Sequence, residues 1–167
     1  FTINYLGGQW RDEDIIDAAF VDEAIRSGLF WDVQNYLGLA CDRLQRQGRF
    51  AQADEHFRRL AELRDVYEFT FAGTNHDGER AMYLLERREL DAAREAADTY
   101  LRGREEYALR VLALGTRAKI LSHAGDVGGA ADALDEAQAI LDASDVVPPW
   151  HTSAYAVARL EHDVAAL

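Results

Sequence analysis

Apolar residues return along most of this chain at steps of three and four, with charged residues between them, a period that belongs to amphipathic helices. Residues 11–27 carry Ile15, Ile16, Ala19, Phe20, Ala24 and Ile25 on one stripe, and Ser27-Gly28 ends it. Asp12, Glu13 and Asp14 fall in its first turn, where the helix dipole favours acids. A second helix is expected from about Trp31 to Gln47, burying Leu37, Ala40, Cys41 and Leu44, with Gly48 supplying the C-terminal turn. Its partner, about Ala51 to Tyr67, turns Ala53, Phe57, Leu60 and Leu63 inward, so the two make a helical hairpin.

Val66–Phe71 alternates like a strand, but one strand has nothing to pair with, so a frayed helix end leading into a loop over 72–78 is expected. A helix over Glu79–Arg88 follows, with Ala81, Leu84 and Leu85 inward. Asp91 is expected to cap the next, Ala92 to about Tyr107, which buries Ala93, Ala97 and Tyr100. A third hairpin joins about Ala108–Ala124 to Gly128–Ala143, setting Leu114, Ala118 and Leu121 against Ala130, Leu134, Ala137 and Leu141. Beyond Pro148-Pro149 a last helix, about Trp150 to Ala166, offers Ala154, Val157, Ala158, Leu160 and Val164. Residues 1–10 read as the tail of an earlier helix with a turn at Gly7-Gly8.

The pattern repeats. Gly8, Gly48, Arg88 and Gly125 each stand two places before an apolar residue, at intervals of 40, 40 and 37 residues. In register, Cys41, Ala81 and Ala118 are equivalent and small, Leu44, Leu84 and Leu121 large, and Ala53, Ala93 and Ala130 small again. Small residues at fixed crossings suit helices packed ridge into groove. The fold class is therefore all-α, antiparallel hairpins stacked as an α-solenoid of about eight helices. One domain over 1–167 is expected, with turns near 8, 48, 88 and 125 and a capping helix at about 150–166. The start at Phe1, without methionine, suggests a piece of a longer protein.

Cys41, Leu44, Gly48, Phe50, Ala53 and Phe57 resemble the tetratricopeptide repeat family, with Leu60 replacing its final Ala. Ala118, Leu121, Gly125, Ala130 and Ala137 match in the third unit, while the second keeps Ala81, Leu84 and Ala93 but has Arg88 for the turn Gly. The spacing exceeds the family's usual 34 or so residues, and no unit carries its proline after the second helix. Repeats of this longer kind are similar to helical arrays in large bacterial signalling and transcription regulators. The resemblance implies a right-handed superhelix whose concave face binds partners.

Composition changes the picture little, and charge changes it more. At 49% hydrophobic and 29% charged, the 167 residues suit a globular domain with a real core. Cys41 is the only cysteine, so no internal disulfide forms, and a reducing, cytoplasmic setting is the simpler expectation. The net charge is −12, unevenly placed: residues 126–167 hold eight acids against one base. Such a surface repels phosphate backbones, so nucleic acid is not an expected partner. No apolar run reaches the roughly 20 residues of a membrane span, so a membrane is not expected either.

No catalytic constellation is present in the pattern. His56, His76, His123, His151 and His162 lack a spaced metal-ligand partner, and no cofactor, metal or enzymatic activity is expected. His56 and His123 are read as lying near hairpin ends, capping carbonyls or facing solvent. The candidate binding positions are Asn35, Arg43, Arg46, Arg80, Arg87 and Arg117, off the core stripe on the first helix of each pair, together with Trp31, Tyr36 and Tyr83. Arginines there hold carboxylates through forked hydrogen bonds, or simply pair with neighbours such as Glu79 and Glu86. Trp31, Tyr36, Tyr67, Phe69, Phe71 and Tyr83 gather near the junction of the first two full units, as packing between hairpins or as a binding groove. The expected function is a non-catalytic module for a protein or peptide partner; the alternative is a small-ligand sensor. The apolar edge at residues 1–10 suggests a second copy or a preceding domain as a further contact.

Overall fold

A computed structural model describes residues 18–68, 70–102 and 106–165, with the backbone alone for 70–75. The readings that fall on residues 1–17, on Phe69 and on the side chain of Phe71 lie outside the described residues. Among the described residues the chain is all-helical, with eight helices and no strand. They are α1 Ala18–Arg26, α2 Phe30–Arg46, α3 Phe50–Asp65, α4 Thr70–Glu86, α5 Leu90–Leu101, α6 Tyr107–His123, α7 Val127–Asp142 and α8 Pro149–Ala165. The contacts divide the chain into two compact units, Phe1–Glu79 and Arg80–Leu167, with the boundary inside α4.

Two elements differ from the expected pattern. The loop expected over 72–78 is helical, because α4 begins at Thr70. Gly73 and Gly78 each cost about 1 kcal/mol relative to Ala inside a helix. Tertiary burial offsets it: His76 is buried, its ring edge-on to Phe57 at 5.9 Å between centroids. The other difference is α5, which starts at Leu90 with Glu89 as its N-cap and ends at Leu101. Asp91 thus sits within the first turn instead of capping it, and Arg102 is already extended at φ −61° and ψ 130°. Two caps were not foreseen. The Glu106 carboxylate accepts from the Ala108 and Leu109 amides at the start of α6, and the Asp126 carboxylate accepts from the Gly129 amide at the start of α7.

Four connections share one geometry. Gly28, Gly48, Arg88 and Gly125 sit at φ +74°, +71°, +63° and +80°, each in the middle of three residues that join two helices. In each, two amides reach back to the preceding helix. The Gly48 amide donates to the Gln45 carbonyl and the Arg49 amide to Leu44, at 2.9 and 2.8 Å; Gly28 and Leu29, Arg88 and Glu89, and Gly125 and Asp126 repeat the pair. This double closure satisfies carbonyls that a helix end leaves bare, and it needs a left-handed residue at its centre. Glycine adopts that backbone freely, whereas Arg88 does so against the clash of its own Cβ.

In the first unit α2 and α3 form a hairpin, and α1 lies against α2. Leu37, Ala40, Cys41 and Leu44 meet Ala53, Phe57, Leu60 and Leu63, all buried as the stripes require. The second unit is centred on α6, which packs on α5, α7 and α8. Its core comprises Leu114, Ala118, Ala133, Leu134, Ala137 and Ala158, with Leu101, Ile140 and Tyr155 packed at its edge. Gly115 permits the α6–α8 contact. A Cβ built there would lie 2.6 Å from the carbonyl carbon of Ala154 and 2.7 Å from the Cα of Tyr155, both backbone atoms of α8. Of the five apolar residues expected to face the core from the last helix, Ala158 is buried and Ala154 half-buried. Val157, Leu160 and Val164 are exposed, because α8 turns Tyr155 and Ala158 to the core instead.

These contacts set two expectations for thermal or urea melts. Arg88→Gly should stabilise the protein by about 0.5–1 kcal/mol, the exposed contact of Arg88 with His123 counting for little beside the relieved turn, and Gly48→Ala should destabilise it by about 1 kcal/mol. Gly115→Ala should cost about 1–3 kcal/mol or more, because α8 backbone has to move to admit a methyl.

Candidate functional site

The helix α2 is buried around most of its circumference, and this places polar groups where an amphipathic stripe alone would not. Gln34, Asp42, Arg43 and Gln45 are all buried on it. Asp42 accepts from Arg46 Nε at 2.8 Å and from Gln45 Nε2 at 3.2 Å. The carboxyl of Glu79, half-buried near this group, is pushed up from its ordinary 4.5 to about 8. Burial is the main cause; the Asp42 carboxylate adds to it and the Arg46 guanidinium opposes it. Glu79 thus holds a proton at neutral pH. Cys41, fully buried beside them, has its Sγ 3.8 Å from the Ala53 carbonyl. Burial raises the thiol well above its usual range, and Glu79, Asp42 and Asp54 raise it further, so no thiolate forms here.

A half-open cavity of about 460 Å³ lies among the first three helices. Ala18 and Val21 of α1 and Leu37 and Leu44 of α2 supply its apolar wall, and Gln52, Glu55, His56 and Arg59 of α3 its polar one. Asp22 of α1 completes it and pairs with Arg59, which also reaches Glu62 at 3.5 Å. Glu55 pairs with Arg58. His56 packs edge-on to Tyr36, with ring centroids 6.2 Å apart. Its pKa falls below 6.5, chiefly through burial, with Glu55 opposing and the Arg43 guanidinium adding to the fall. A neutral imidazole presents one donor and one acceptor nitrogen. One apolar wall facing a row of donors and acceptors is the make-up of a pocket for an amphiphilic molecule or a peptide side chain. Among the described residues, no group of three or more His, Cys, Asp or Glu is placed to hold a metal ion.

The positions singled out from the sequence separate into three sets. Arg43, Tyr36 and Tyr83 are core residues. For Arg43, only 1% exposed, this corrects its placing off the core stripe, since α2 carries neighbours on several sides, whereas the buried Tyr36 and Tyr83 agree with packing and not with an open groove. Arg46, Arg87 and Arg117 are engaged within the chain, by Asp42, by Glu89 with the Tyr83 hydroxyl, and by Asp98 respectively. Pairing with nearby acids was the plainer reading of these arginines, and it holds, although Arg87 takes Glu89 in place of Glu86. Arg80 and Trp31 are exposed, and the amide of Asn35 donates to the Trp31 carbonyl at 2.8 Å. Of the remaining aromatics, Tyr67 packs on Phe30 at 5.2 Å.

His56 lies within α3, half-buried, not at a hairpin end. His123 does end α6, where its Nδ1 is 3.3 Å from Arg88 Nη1. The polar wall itself was missed, although its signal is in the sequence. Gln52, Glu55, His56 and Arg59 follow the i, i+3, i+4, i+7 spacing of a single helix face, beside the apolar stripe. Comparison with protein-family models, with curated proteins and with solved structures finds no match. No helix among the described residues is long and apolar enough to cross a membrane.

The shifted groups set the pH dependence of stability. Between about 4.5 and 8 the folded chain keeps a Glu79 proton that the unfolded chain releases, so stability falls as pH rises through that window. Below 6.5 the unfolded His56 takes up a proton that the folded one resists, so stability falls as pH drops there. The melting temperature should therefore climb as pH falls from 8 to 6.5 and level off below. The slope above 6.5 should reach about 1 kcal/mol per pH unit at most, and Glu79→Gln should flatten it.

Proposed function

We propose that the chain is a tetratricopeptide-like repeat module, non-catalytic, that recognises a protein or peptide partner within a bacterial regulatory or signalling protein. In this reading the hairpins continue one another as a right-handed superhelix and a partner helix or extended peptide lies along its concave face. One observation carries it: the same left-handed three-residue turn recurs at Gly48, Arg88 and Gly125. Equivalent small residues accompany it, with Cys41, Ala81 and Ala118 on one helix of each pair and Ala53, Ala93 and Ala130 on the other, all fully buried. A fold of this kind bears on function only through its sites. At Arg46, Arg87 and Arg117, a partner's carboxylate has to displace Asp42, Glu89 or Asp98; Arg80 and Trp31 are exposed positions beside them in the sequence pattern.

A second reading, a small-ligand sensor, is favoured by the cavity against α3, whose volume falls in the range of ligand pockets. Two screens on the same protein separate the readings. A displayed peptide library should enrich a sequence family that binds with micromolar affinity, and a metabolite set should leave the melting temperature unchanged. The sensor reading replaces the first if no peptide is enriched and a metabolite raises the melting temperature. Ala18→Trp, which places a large side chain in the cavity wall, should then abolish that shift.

A further inference from the structure

The last helix presents two faces of different use. Tyr155 and Ala158 hold it on the core, and the Tyr155 hydroxyl donates to Gln138. Away from that contact Val157, Leu160 and Val164 are 46%, 65% and 59% exposed. Their alternating steps of three and four extend back through Ser153 to Trp150, itself 48% exposed. Single exposed apolar residues need no explanation. A row in strict seven-residue register is the seam by which one helix seats another, and the partner that matches it is a helix.

Charge narrows the partner further. Asp163 flanks the seam and is exposed, and Glu161 on the other flank is exposed but shared with Lys119. The cations near α8 are engaged: Arg159 pairs with Asp135 at 3.1 Å, and Lys119 with Glu161 at 3.1 Å. Around them, residues 126–167 hold eight acids and one base, so a second copy of this chain would bring acid against acid.

We propose that the α8 seam docks a basic amphipathic helix of a partner protein, with apolar residues at heptad spacing and Lys or Arg on its flanks. This rests on the reading of the chain as an interaction module and assigns it a surface apart from the α3 cavity and the arginine positions.

The test uses the whole chain and two labelled three-heptad peptides with Leu and Val in the seam positions, one flanked by Lys and one by Glu, read by fluorescence anisotropy at low and high salt. The Lys-flanked peptide should bind at least about 10-fold more tightly, with the advantage shrinking as salt rises. Leu160→Glu should weaken it by about 10-fold or more without changing the melting temperature. Asp163→Lys, on an exposed position, should weaken the Lys-flanked peptide and strengthen the other. Equal binding of both peptides, or binding indifferent to Leu160→Glu and Asp163→Lys, overturns the proposal. So does self-association, seen by light scattering, that Leu160→Glu abolishes, because the occupant is then a second copy. Library peptides that bind the Leu160→Glu protein normally would remove the seam and leave the interaction module standing.

Discussion

A helix that must reverse within three residues needs one of them in the left-handed region, and much of this structure follows from that constraint. The reversals at Gly28, Gly48 and Gly125 return the chain against the helix it has just left, and Arg88 has the same turn geometry. Side chains at the crossings then have to be small. Cys41 faces the Ala53 carbonyl in one hairpin, and Ala118 and Ala130 are wholly buried in another. Close approach also gives Gly115 its place, since α8 passes where a methyl group would stand. The larger residues fill the space between crossings, which is why Leu44, Leu84 and Leu121 recur in register.

The same closeness has an electrostatic consequence. A helix covered on several sides carries some of its polar residues inside, and α2 carries Gln34, Asp42, Arg43 and Gln45 there. Burial, with the nearby Asp42 carboxylate adding to it and the Arg46 guanidinium opposing it, keeps the proton on Glu79. Arg43 in turn helps keep His56 neutral at the cavity wall. The second unit distributes its charge differently, with exposed acids beside an exposed apolar row on α8.

The helices, most of their limits and their inward stripes were legible in the sequence because each rests on local rules. Period, turn residue and helix dipole act over a few neighbouring positions. The repeat exposed even the Arg88 turn, where no glycine marks it, since Leu84 and Ala93 hold the register around it. The acids of Glu106 and Asp126 could have been read as caps from the same rules.

What tertiary structure decided is where local preference and burial disagree. Residues 72–78 carry two glycines and polar side chains, yet they are helical, with His76 buried against Phe57. Arg43 reads as a surface position by periodicity and is core, because α2, touched on several sides, has no single inner stripe. Leu160 and Val164 read as core and are exposed, because α8 meets α6 through Tyr155 and Ala158. Periodicity determines that a helix has an apolar face. Only the packing of its neighbours determines which face is covered, because burial is a property of the pair and not of either helix alone.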